Sequence, residues 1–323
     1  MPTTQQTQRT QQTGRVNNPQ QRRIPEKEKG PYKDQKKGAM RSTRPANFVL
    51  TPDWRPILDE NFTASNLNMQ KWWTRYIYSG GLQDYLNDEQ ERYREQGNHV
   101  MTDGDLCNLT ALPKEPDGTY PSGMLRSKDK FDIANGDAWY MECKAKVPKG
   151  LGTWPAFWIA GVERIPGDDS SCYWPPEIDI MEIVNNGDWG DNTTCLHCGG
   201  KGWDPYQNNM WTWWDDDFNG DFAFWQAPYD FSHGYHQFGL LYQYPNMTIY
   251  VDRVPILEGT YNWDDWQGRV PGAHILCNLA IGGSWAGRNG VDDNAMPQWM
   301  TVDYIRVYQQ IAQSTIGHNL MPV

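Results

Sequence analysis

The chain has 323 residues, 38% of them hydrophobic, and a formal net charge of −11. That length sustains one large core, and no run approaches the ~18 consecutive apolar residues of a membrane helix. The opening Met1-Pro2-Thr3-Thr4-Gln5 has no apolar stretch, so a classical secretory signal is not expected.

Charge divides the chain in two. Residues 1–46 hold 11 Lys/Arg against 3 Asp/Glu, a net of +8, which leaves 18 against 37, or −19, for residues 47–323. The arm is rich in Gln, Thr, Arg, Lys and Pro and is expected to be extended or disordered. Its charge suits contact with nucleic acid or an acidic protein surface, or an anchor on a larger assembly. The body is too acidic to follow a phosphate backbone, and it disfavours sulfated or carboxylated polymers.

From residue 47 the texture changes to short alternating segments between Gly, Asn, Asp and Pro turns. Residues 87–96 are charged enough for one short helix or a polar strand. Trp139–Val147, Gln237–Tyr242, Met247–Asp252 and Met300–Tyr308 alternate apolar and polar residues at period two, as half-buried strands do. Many short antiparallel strands over residues 47–311 predict an all-β sandwich of the jelly-roll type. Residues 312–323 form a polar tail.

Seventeen Trp and seventeen Tyr exceed what a core needs. Their flat faces suit the C–H faces of sugar rings, so carbohydrate is the expected ligand class. The six cysteines are expected to be free thiols. Cys195-Leu196-His197-Cys198 suggests zinc, but no second pair follows, and on a strand Cys198 points away from Cys195 and His197.

The chemistry concentrates in Glu177-Ile178-Asp179-Ile180-Met181-Glu182. A regular strand puts Glu177 and Asp179 on one face and Glu182 on the other. A bulge at Ile180 or Met181 returns Glu182 to that face. Three close carboxylates cannot all ionise cheaply, so at least one pKa must rise. A protonated carboxyl beside an ionised one is what glycosidic bond cleavage requires. With the bulge, the Cα atoms of Glu177 and Glu182 lie about 13 Å apart, and inclined side chains reach the separation of a retaining enzyme. A solvated acidic edge and a calcium site are the competing readings of the same residues.

This hexapeptide resembles the bulged Glu-x-Asp-x-x-Glu signature of glycoside hydrolase family 16, the laminarinase and agarase group. Residues 120–128, 150–159, 277–285 and 297–308 are also similar to segments of that family, in order. The resemblance implies a concanavalin-like jelly roll with an open cleft, Glu177 as nucleophile, Glu182 as general acid/base and Asp179 between them. It further implies substrate contacts from Trp154, Trp158, Trp285, His197 and Asn87. No cofactor is required, but a structural calcium on the convex face, near Asp303 with Asp59 or Glu60, is part of the family pattern.

Two departures stand out. Leu241-Tyr242 occupies a place where Glu-Trp is common, and residues 211–218 look like an insertion. The expected activity is retaining endo-hydrolysis of a β-1,3-glucan, a galactan or a bacterial exopolysaccharide. The expected location is extracellular or on a virion, as a depolymerase anchored by its arm, with no membrane partner. The alternative is a non-catalytic carbohydrate-binding or structural protein on the same fold.

Overall fold

Trp139–Lys146 shows how the sequence builds this fold. Trp139, Met141, Cys143 and Ala145 enter the main core, while Tyr140, Glu142 and Lys144 turn outward. The computed structural model describes residues 47–78, 81–94, 100–102, 104–162, 174–204, 209–212, 224–264 and 268–310. The basic arm, the C-terminal tail, Cys172 and most of the 211–218 insertion lie outside the described residues.

In chain order the strands are β1 (Trp54–Glu60), β2 (Trp72–Trp73), β3 (Tyr76–Tyr78), β4 (Gly81–Gln83), β5 (Glu91–Tyr93), β6 (Val100–Thr102) and β7 (Cys107–Ala111). Then come β8 (Tyr120–Ser122), β9 (Met124–Ser127), β10 (Trp139–Lys146), β11 (Thr153–Gly161), β12 (Glu177–Glu182), β13 (Cys195–Asp204) and β14 (Asn209–Thr212). The last are β15 (Phe224–Gln226), β16 (His236–Gln243), β17 (Asn246–Val251), β18 (Val254–Thr260), β19 (Ala273–Ile281) and β20 (Gln298–Gln310). A single helical turn, α1 (Gly283–Ala286), follows β19. Within the described part of the 87–96 segment, residues 87–94, Glu91–Tyr93 forms a short polar strand, β5, which pairs in parallel with β8.

Two eight-stranded sheets face each other. One runs β18-β17-β16-β10-β20-β7-β6, with β1 also paired to β20. The other runs β14-β13-β12-β11-β19-β9-β2, with β15 also paired to β13. Among the described residues every strand pairing apart from β5–β8 is antiparallel. Phe157, Ile159, Ile178, Ile275 and Leu279 of the second sheet share one core with Met141, Phe238, Leu240, Ile305 and Val307 of the first. This is the sandwich that the period-two pattern predicts. Tyr242 belongs to that core and its hydroxyl donates to Tyr261 O at 2.8 Å, so the departure at 241–242 is a core contact rather than a cleft contact.

The outer face of the first sheet is closed by aromatic rings and one buried carboxylate. Phe48 stacks on Tyr140 at 3.5 Å between ring centroids. Glu142 accepts from Arg253 Nε (3.0 Å) and Nη2 (3.1 Å), Tyr140 OH (2.8 Å) and Tyr304 OH (2.8 Å). Four donors around one buried carboxylate replace the water it loses. Among the described residues no helix is long and apolar enough to cross a membrane.

Candidate active site

β12 departs from strict alternation at its centre. Ile178, Ile180, Met181 and Ile183 all join the sandwich core, although Ile180 and Met181 are neighbours. The pairing with β11 shows how. Asp179 lies opposite Trp158 and Met181 opposite Phe157, which leaves Ile180 as an extra residue. On the other side, Asp179 pairs with Gly199 and Glu182 with His197. One added residue of this kind is a β-bulge, and it puts Glu177, Asp179 and Glu182 on the outer face together.

Along β11 the acids stand opposite Ala160, Trp158 and Ala156. Alanine beside each glutamate leaves space for its side chain to incline toward the other. Ala156 and Ala160 are four residues apart, so the Glu177 and Glu182 backbones are separated by about 13 Å. The acids are only 9%, 3% and 3% exposed, and each glutamate has an indole donor. Trp174 Nε1 donates to Glu177 Oε2 at 2.8 Å, and Trp154 Nε1 to Glu182 Oε1 at 3.2 Å. The Glu177 amide donates to Tyr261 OH at 3.1 Å, which ties the start of the strand to a fully buried ring. Burial, together with the charges of Asp179 and Glu182, pushes the neighbouring Cys198 thiol up, so that sulfur stays protonated.

Three of the expected aromatic and histidine positions converge here. Trp154 and Trp285 meet edge to face at 4.8 Å, and His197 meets Trp285 at 5.0 Å. Asp191 organises this group. Its Oδ1 lies 2.8 Å from His197 Nε2, and its Oδ2 accepts from Asn186 Nδ2 (2.8 Å) and Trp285 Nε1 (3.3 Å). Burial works against its charge, but the hydrogen bonds led by His197 outweigh burial and hold Asp191 below the usual carboxylate range. Asp191 is therefore ionised and only accepts, so His197 Nε2 carries a proton.

Trp158 is 6% exposed and packs with Tyr76, Tyr93 and Leu276. Its indole donates to Asn278 Oδ1 at 2.7 Å, and Asn278 Nδ2 donates to Tyr93 OH at 3.1 Å. It forms the floor under Asp179 rather than an open stacking face. Asn87 is exposed at the rim and donates to Glu89 Oε1 at 3.3 Å.

The loop carrying Asn87 is fastened to the turn that presents Trp285. Gln90 N donates to Ile281 O at 2.8 Å, and Ile281 N donates to Glu91 Oε2 at 2.9 Å. Gly282 (φ 77) and Gly283 (φ 71) make this approach possible, since a Cβ on Gly282 would collide with the Gln90 side chain.

The carboxylates of the implied calcium site are each paired with a cation. Asp303 Oδ2 pairs with Lys144 Nζ at 2.6 Å, Asp59 with Arg306 at 2.9 Å and Glu60 with Lys71 at 3.2 Å. Calcium takes 6–8 oxygen ligands, whereas each of these carboxylates already faces its own cation. Cys195 Sγ donates to Gln226 Oε1, His197 turns to Asp191 and Cys198 enters the core, so these residues form no zinc set. Among the described residues no group of three or more His, Cys, Asp or Glu is placed to hold a metal, and the five described cysteines are free thiols.

Sequence reasoning missed Trp174, Tyr261, Asp191 and the Asn278–Tyr93 link. Only Trp174, three residues before Glu177, had a local signal.

A jelly roll with clustered acids and indoles on one outer face fits a glycoside hydrolase. The sequence profile for Glycosyl hydrolases family 16 matches residues 87–306, and the chain belongs to that family. It is 29% identical to a beta-glucanase of Rhodothermus marinus over 273 residues, covering 80% of this chain and 87% of that protein. It is 27% identical to glucan endo-1,3-beta-glucosidase A1 of Niallia circulans over 280 residues, spanning 79% of this chain but only 38% of that longer protein. The crystal structure of a non-specific endo-β-1,3(4)-glucanase from family GH16 superposes with a TM-score of 0.63 at 23% identity, covering 84% and 97% of the two chains.

Proposed function

We propose that the protein is a retaining endo-β-glucanase acting on β-1,3-linked glucan. The observation that carries this reading is the placement of Glu177, Asp179 and Glu182 on one face by the extra residue at Ile180. Glu177 attacks the anomeric carbon while Glu182 protonates the leaving oxygen. Glu182 then takes a proton from the water that releases the glycosyl-enzyme. Trp174 fixes the Glu177 carboxylate and Trp154 fixes Glu182 for these roles. Asp179 hydrogen-bonds the nucleophile and shares its proton as charge moves. Trp285, Asn87 and His197 contact the sugar chain, and Trp158 supports the floor beneath it. The names of the Rhodothermus marinus and Niallia circulans relatives favour glucan over galactan.

Fresh hydrolysis of laminarin followed by proton NMR tests the mechanism. The first reducing ends are expected as the β-anomer, and Glu177→Gln and Glu182→Gln are expected to abolish their release. Initial appearance of the α-anomer refutes double displacement, and binding without cleavage across a β-glycan panel favours the non-catalytic alternative.

The basic arm, residues 1–46, belongs to this reading as an anchor on a larger assembly such as a virion. Its support is the charge contrast and the point of departure. Phe48 is seated on the outer face of the first sheet, away from the acids. Removing residues 1–46 should leave laminarin hydrolysis intact and release the enzyme from sedimenting particles; continued co-sedimentation rules out the anchor.

A further inference from the structure

The sheet opposite the acids carries a second groove, of about 490 Å³. Its floor is a row across three neighbouring strands. Asn108 of β7 lies opposite Thr301 of β20, which lies opposite Lys146 of β10. At about 4.8 Å between strands the row is roughly 10 Å long, close to the length of a disaccharide. Met300 and Val302 enter the core, so Trp299 and Thr301 turn outward. Trp299 (46% exposed) and Tyr235 (38% exposed) present aromatic rings at the same groove.

Its charges decide the ligand class. Asp230 is taken by Lys149 (2.8 Å) and Asp303 by Lys144 (2.6 Å). The groove is thus lined by neutral hydrogen-bonding groups and two exposed lysines, Lys146 and Lys149, the second of them paired with Asp230. A polyanion would meet the −19 charge of the body, and a polycation would meet Lys146. A neutral polyhydroxyl chain meets neither obstacle. Its C–H faces match the two rings, and its hydroxyls match Asn108, Thr301 and Lys146.

We infer that this groove is a second, non-catalytic binding site for a neutral β-glucan chain, which holds the polymer while the opposite face cleaves it. The inference rests on the glucanase reading for the identity of the polymer, not for the existence of the site.

The test uses the full chain and particulate β-1,3-glucan. In a Glu182→Gln background, Trp299→Ala is expected to weaken retention on the particles about three- to tenfold, the range for one lost stacking contact. In the active enzyme, Trp299→Ala should slow hydrolysis of the particles by a similar factor and leave hydrolysis of a short soluble laminari-oligosaccharide unchanged. Tyr235→Ala supplies an independent second variant, and melting temperature verifies that each is folded. Equal retention by both folded variants overturns the inference. So does retention that ignores Trp299 but vanishes with Lys146→Gln and with added salt, which marks an acidic polymer. If the wild type cleaves no glucan yet is retained through Trp299, the glucanase reading fails while the site stands.

Discussion

Replacing Glu91 with glutamine should change how stability depends on pH, because Glu89 and Glu91 form a buried acid pair. Glu91 is fully buried and Glu89 7% exposed. Burial, and next the charge of Glu89, push the Glu91 carboxyl well above its ordinary 4.5. Burial raises Glu89 to about 7, against the hydrogen bonds from Glu91 and Asn87. In the unfolded chain both protons leave near 4.5. In the folded chain Glu91 keeps its proton and donates it to Glu89. The folded state therefore binds more protons above 4.5, and stability falls as pH rises, by about 1.4 kcal/mol per pH unit for each retained proton. The contribution is fully present below the unfolded pKa and is lost as pH climbs through the folded one. Glu91→Gln preserves an amide donor to Glu89 and removes one titration. Between about pH 5 and pH 7 the variant should gain up to ~3 kcal/mol relative to wild type. Urea unfolding at several pH values across that window measures the difference. Parallel stability lines for the two proteins would refute a buried, shared proton at this site.

Other substitutions follow from the same contacts. Glu182→Gln is expected to lower kcat on laminarin about 10²- to 10⁴-fold, the usual contribution of a general acid, with the melting temperature nearly unchanged. Arg253→Met leaves the Glu142 carboxylate buried without its cation; because Arg253 is itself one-third exposed, a loss of about 2–3 kcal/mol in denaturant unfolding is expected, less than for a fully buried pair. Gly200→Ala drives a methyl group into the Tyr261 ring and should cost about 1–3 kcal/mol, with reduced activity because Tyr261 holds the Glu177 amide.

The parts of this molecule visible in sequence are those fixed by local periodicity. Ile178 and Met181 cannot both enter one core on a regular strand that also shows Glu177, Asp179 and Glu182 to one cleft, so a bulge is legible before any contact is known. Trp154 and Trp158 share a face by alternation, but only the packing of Tyr76 and Tyr93 shows that Trp158 is covered. The cation beside Asp303 is not announced in sequence, because Lys144 comes from a neighbouring strand through sheet register. The Glu89–Glu91 pair escaped for the same reason. Its partners arrive from Ile281 and the glycine turn, almost 200 residues downstream.

Asp191 gives the sharpest separation between support and chemistry. It touches His197, Trp285 and Asn186 at once, and all three bring donors. Asparagine is nearly the same size but has one acceptor and one donor. If its oxygen faces His197 Nε2, its amide faces the donors of Asn186 and Trp285; reversing it sets that amide against His197 instead. The first orientation opposes two buried donors and the second forces His197 to give up its Nε2 proton, at a cost of about 1–3 kcal/mol in either case. Asp191→Asn should therefore let His197 and Trp285 move beside Glu182, reducing kcat/KM on laminarin about tenfold or more. A loop that only stabilises the fold predicts a lower melting temperature with kcat/KM within about twofold of wild type, and that outcome would remove Asp191 from the site. A rise in KM with kcat preserved assigns the loss to Trp285 and sugar binding. A fall in kcat assigns it to His197, which pairs across the sheet with Glu182.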